Sequence, residues 1–73
     1  MQNHYIKNAE DIAKVIKARR KELEITQKQL ADYCDLSHNG ISRIEVADSD
    51  VKLSTLLKMS HLLDFKIAIE MNE

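Results

Sequence analysis

Residues 26–45 read TQKQLADYCDLSHNGISRIE, and this stretch decides the fold. Thr26 followed three residues on by Gln29 is a capping box, in which each side chain satisfies a backbone N–H at the other end. It opens a short helix whose apolar face is Leu30, Ala31 and Cys34, with Tyr33 as a further candidate. Asp35-Leu36 makes a turn, and Ser37 caps a third helix running from His38 to about Glu45 or Val46. Ile41 and Ile44 point inward from it. Two short helices, each opened by a hydroxyl cap and joined by a tight turn, hold the second one out as a rod at about a right angle to the first. Such a rod fits a DNA major groove, about 12 Å wide, while the preceding helix crosses the backbone.

Upstream, Asn8 is a good N-cap, and Asp11 sits where a negative charge favours a helix start. Ile12, Val15/Ile16, Arg19/Arg20 and Leu23 recur at helical spacing, and Glu24-Ile25 breaks the pattern. Downstream, residues 47–50 form an acidic loop. A fourth helix from about Leu53 to Leu63 carries Leu53, Leu56, Leu57, Met59, Leu62 and Leu63. It is apolar around much of its circumference, which predicts a central place in the core. The period then changes: Phe65, Ile67, Ile69 and Met71 alternate with Lys66, Ala68, Glu70 and Asn72, the pattern of a half-buried strand.

Length and composition agree with one small domain over residues 1–73. A chain of this length buries only about 60% of its extended surface, so a partner that adds core is plausible. One glycine and no proline disfavour long flexible loops. Cys34 is the only cysteine, which rules out an intramolecular disulfide; the alternatives are a small buried apolar residue and a reactive thiol. No run approaches signal-peptide or transmembrane length, so a soluble cytoplasmic protein is expected. The net charge is −1, yet residues 1–43 hold eight Lys/Arg against six acids and residues 44–73 hold three against six. The cluster Lys17-Ala18-Arg19-Arg20-Lys21 can therefore make one face positive on a nearly neutral chain. A solvated helix face is the plain alternative.

The sequence from Ile25 to Ala31, followed by Leu36-Ser37 and then Ile41-Ser42-Arg43-Ile44-Glu45, resembles the Xre family of phage-repressor-type helix-turn-helix proteins. Arg19-Arg20-Lys21 and Thr55-Leu56-Leu57-Lys58-Met59 fit the same pattern. The resemblance, over residues 9–65, implies a mainly α, compact four-helix lambda-repressor-like domain that binds DNA. Carried over, it implies that His38, Asn39, Ser42 and Arg43 face the bases. Gln27, Lys28, Ser37 and Lys17 are the implied phosphate contacts, with Gln27 also bracing the recognition helix. It further implies a structural ion pair between Arg20 and Glu45. The chemistry suits these roles, since Arg donates two bonds to guanine O6 and N7 and Asn pairs with adenine N6 and N7.

Several positions depart from the family pattern. Glu24, Asp35 and Asp64 stand where glycine is frequent, and Asp tolerates the left-handed conformation better than Glu. Gly40 lies inside the recognition helix, at about 1 kcal/mol relative to Ala. Lys52 replaces the usual cap of the fourth helix, and Asp50 is a candidate substitute.

The tail has no second strand-like run to pair with. The simplest solution is the same strand of a second copy, with Phe65, Ile67, Ile69 and Met71 as the dimerisation residues over 65–71. A four-helix domain followed directly by a dimerising strand resembles the HipB antitoxins. That resemblance implies a homodimeric repressor of its own operon, acting on palindromic double-stranded DNA and binding a HipA-type kinase toxin. A stand-alone phage-type or metabolic repressor is the alternative, and an interaction module without DNA binding is a further one.

No nucleophile–base pair, glycine-rich phosphate loop or paired carboxylates occur, so an enzyme is not expected. His4, His38, His61 and Cys34 are too scattered for a recognisable metal site, and no cofactor is expected.

Overall fold

The computed structural model describes residues 3–72. Met1, Gln2 and Glu73 of the expected domain lie outside them. Four helices follow in order: α1 Ala9–Glu22, α2 Gln27–Tyr33, α3 His38–Glu45 and α4 Leu53–Leu63. Ile16, Leu30, Ile41, Met59 and Leu63 are fully buried and meet at the centre, one or more from each helix. Ala31, Cys34 and Ile44 complete this core, so Cys34 is the small buried apolar residue rather than an exposed thiol. Burial pushes its pKa up, the opposite of what an activated thiol needs.

Local sequence sets the helix starts. Asn8 Oδ1 accepts from Asp11 N at 3.0 Å, and Asp11 Oδ2 accepts from Lys7 N at 2.9 Å. Thr26 Oγ1 accepts from Gln29 N at 3.0 Å while Thr26 N donates to Gln29 Oε1 at 2.8 Å, closing the capping box. Ser37 Oγ accepts from Gly40 N at 2.9 Å. A Cβ at Gly40 would stand 3.2 Å from that oxygen, so the glycine leaves room for the cap of α3. The fourth start differs from expectation. Lys52 is the N-cap of α4 with no side-chain bond, and Asp50, two residues earlier, does not supply one.

The helix ends share one device. Glu24, Asp35, Ala47 and Asp64 are left-handed, with φ between 53° and 60°. In each case the next N–H reaches back five residues. Ile25 N bonds Arg20 O at 3.0 Å, Leu36 N bonds Ala31 O at 2.9 Å, Asp48 N bonds Arg43 O at 2.8 Å and Phe65 N bonds Ser60 O at 3.1 Å. These are Schellman closures. Ile25, Leu36 and Phe65 then pack onto the core, which holds the turns in place without glycine. A left-handed residue with a Cβ costs about 1–2 kcal/mol relative to its right-handed form. Ala47, whose turn is followed by the polar Asp48 rather than a core residue, is where that strain is easiest to relieve. Ala47→Gly should raise stability by about 1 kcal/mol, read as a higher urea midpoint at unchanged slope. A lowered midpoint would contradict this origin of the turn.

Two further expectations need correction. Helix α4 takes its central place through Met59 and Leu63, which are fully buried, but not all of its apolar positions are covered: Leu53 is 65% and Leu57 is 46% exposed. A single domain has helices to cover only one side of it. Tyr33 and Leu23 likewise stay outside, Leu23 as the C-cap of α1. No strand forms over 65–71 among the described residues, since a ladder requires a second strand. Phe65 packs on the core, while Ile67, Ile69 and Met71 are 41%, 87% and 79% exposed.

Candidate nucleic-acid interface

Helices α2 and α3 pack closely on each other and α1 packs behind α3, so α3 is supported from the rear. Ile41 and Ile44 anchor its inner side at 0% and 6% exposure. His38, Asn39 and Arg43 are exposed, and Ser42 is partly covered. The pairs 38/42 and 39/43 are four residues apart, so all four share one helix surface. This is the arrangement expected of side chains presented together to a groove.

A line of polar contacts runs from the core to that surface. Arg20 of α1 is 9% exposed and Glu45 of α3 is 6% exposed. They pair bidentately, Arg20 Nε to Glu45 Oε2 at 2.6 Å and Arg20 Nη2 to Glu45 Oε1 at 2.9 Å. Arg20 Nη1 also donates to Ile25 O at 2.9 Å, tying the ion pair to the turn before α2. Gln27 Nε2 donates to Glu45 Oε1 at 3.1 Å, and Gln27 Oε1 stands 2.8 Å from His38 Nε2. The implied ion pair and the bracing role of Gln27 thus fall into one network with His38.

Burial pushes the Glu45 carboxyl up, but hydrogen bonds from Arg20 and Gln27 and the charges of Arg20 and Lys17 outweigh it. Its pKa is held below the usual carboxylate range. Arg20 is raised, chiefly by its hydrogen bond to Glu45. The Lys17 side chain is exposed.

The remaining cations are partly engaged. Arg43 Nε lies 3.3 Å from Asp48 Oδ2 and Arg43 Nη2 lies 3.3 Å from Asp48 O. Lys28 Nζ lies 3.4 Å from Asp32 Oδ2. Both pairs are more than half exposed, so each is weak and can exchange its carboxylate for a phosphate or base. The Ser37 hydroxyl is used as an acceptor by its cap and retains its donor. Sequence reading missed Asp48. It follows α3 through a left-handed turn at Ala47, a position with no glycine to mark it.

Among the described residues, no group of three or more His, Cys, Asp or Glu side chains is placed to hold a metal ion. No described helix is long and apolar enough to cross a membrane.

Comparison with known proteins agrees with this geometry. Several solved structures are similar in fold, three of them HipB complexes with DNA. A HipB variant complexed with an O2 20mer is 21% identical with a TM-score of 0.79, covering 99% of this chain and 100% of that one. A HipA–HipB–O2–O3 complex and a HipB–O4 20mer complex are each 22% identical with TM-scores of 0.77, covering both chains fully. No curated protein sequence matches the chain significantly. The family model described as helix-turn-helix (HTH_3) matches residues 16–69, which include the second half of α1 and all of α2, α3 and α4. With two capped helices set in that frame and matched over most of its length, the chain belongs to the helix-turn-helix family.

Proposed function

We propose that this chain is a sequence-specific DNA-binding repressor of the HipB antitoxin type, acting as a homodimer on a palindromic operator. The observation that carries it is the outer surface of α3. His38, Asn39, Ser42 and Arg43 stand together there, on a helix whose inner side is locked in the core and whose end is tied to α1 by a buried ion pair. A rigid scaffold under convergent polar groups is what base readout requires.

In this reading His38, Asn39, Ser42 and Arg43 meet base edges. Gln27, Lys28, Ser37 and Lys17 contact phosphates at the start of α2 and along its flanks. The extended tail supplies the dimer contact through Phe65, Ile67, Ile69 and Met71. Similarity to HipB chains along their whole length favours the antitoxin type over other repressors, and one of those chains is found with HipA.

The test uses a duplex selected by the protein from a random-sequence library. Arg43→Ala should cost about 1–3 kcal/mol of binding and relax the preference at one base pair. Lys28→Ala should weaken binding to all sequences and reduce the salt slope by about one unit. Unchanged affinity in both variants removes this surface from the interface.

The toxin partner is tested separately, by purification with the product of the adjoining gene. A complex with a larger kinase-fold protein is expected. Recovery of the homodimer alone assigns the chain to the stand-alone repressors.

A further inference from the structure

The contacts behind His38 determine more than its position. Glu45 carries a carboxylate, which only accepts hydrogen bonds. The Gln27 amide must therefore turn its NH2 toward Glu45 Oε1, at 3.1 Å. Its oxygen is then left facing His38 Nε2, at 2.8 Å. An oxygen at that distance requires the proton on Nε2. In a neutral imidazole one nitrogen donates and the other accepts, so Nδ1 is left as an acceptor. No side-chain bond to Nδ1 occurs among the described residues, and the ring sits exposed at the first residue of α3.

We propose that Gln27, oriented by Glu45, sets the tautomer of His38 so that His38 presents Nδ1 to DNA as a hydrogen-bond acceptor and reads the amino group of adenine or cytosine. The proposal rests on α3 being the helix that enters the major groove. There, adenine offers its N6 amino group and cytosine its N4 amino group. Guanine offers only acceptors at O6 and N7, and thymine an acceptor and a methyl. An acceptor on the protein is satisfied by the first two bases and opposed by the others. Gln27 is thus a positioning residue for specificity, in addition to any phosphate it touches. Arg20 belongs to the same line, because it fixes the carboxylate that orients the amide.

Two measurements test this. Long-range proton–nitrogen NMR spectra of the free protein, at about pH 8 and so above the ordinary histidine range, read the tautomer without DNA. The wild type should show the Nε2–H form, and Gln27→Leu should show a mixture. Selection from a random-sequence duplex library reads the consequence. At the position whose preference disappears in His38→Ala, the wild type should favour adenine or cytosine. Gln27→Leu should lower that preference by about 3- to 10-fold, the scale of one hydrogen bond. It should keep the separate preference that Arg43→Ala removes, which shows that the fold and docking survive.

An Nδ1–H form in the wild type overturns the proposal alone. So does a guanine or thymine preference at the His38 position, or an undiminished preference in Gln27→Leu. Enrichment of no sequence at all overturns the DNA-binding reading and the proposal with it.

Discussion

Glu45→Ala should remove a large share of the chain's stability. The substitution leaves the Arg20 guanidinium buried with Ile25 O as its remaining partner. Removing one member of a buried ion pair costs about 3–5 kcal/mol. A domain of this length has roughly 4–11 kcal/mol in total at about 0.05–0.15 kcal/mol per residue. Replacing both members by apolar residues, as in Arg20→Met with Glu45→Leu, should recover most of the loss, because no charge is then stranded. The double variant should still bind DNA poorly, since Gln27 loses its anchor.

The pair also gives a pH signature. The folded pKa of Glu45 lies below its ordinary value, so its contribution is present above the ordinary carboxylate pKa of about 4.3 and is lost as pH falls through the lowered folded value. The double variant should lack that acid-dependent loss. Urea titrations at fixed protein concentration measure both effects. A cost below about 1 kcal/mol for Glu45→Ala would show that the pair does not organise the domain.

The second large effect is expected at the tail. Ile67→Asp with Ile69→Asp should convert a dimer into a folded monomer. Ile69 and Met71 are among the most exposed apolar side chains of the described residues, and Ile67 is exposed beside them in sequence. Burying such a side chain contributes about 1.5–3 kcal/mol. A symmetric dimer buries Ile67 and Ile69 from both copies, so losing them should weaken association by at least about a thousandfold, equivalent to about 4 kcal/mol. The fold should survive, because Phe65, which packs on the core, is untouched. On the proposed reading, DNA affinity should fall as dimerisation is lost, since a monomer presents one recognition helix and a dimer two. Analytical ultracentrifugation decides it: a dimer of undiminished stability would exclude the tail as the dimer contact.

What was legible in the sequence is what local chemistry specifies. Asn8, Thr26 and Ser37 each place an acceptor where a helix start needs one, and each does so in the structure. The inward residues of α3 follow from the same register. The acid–base pair of Arg20 and Glu45 was implied by family resemblance, not by spacing, because the residues are 25 apart. Helix ends were harder to read. Glu24, Asp35 and Asp64 stand where glycine is frequent after a helix, but Ala47 has no side-chain feature that marks a left-handed turn. Exposure of Leu53 and Leu57 also escaped the sequence, because hydrophobic periodicity counts apolar positions without saying how many neighbours exist to cover them. The Gln27–His38 contact depends on the angle between α2 and α3, which no linear pattern encodes.

Sequence-specific recognition by α3 is tested most directly by selection from a random-sequence duplex library, followed by footprinting of the selected DNA. The expected result is a single enriched palindrome protected as two half-sites about one helical turn, near 34 Å, apart, with affinity that falls steeply as salt rises. Enrichment of no sequence, or uniform protection without half-sites, would contradict it.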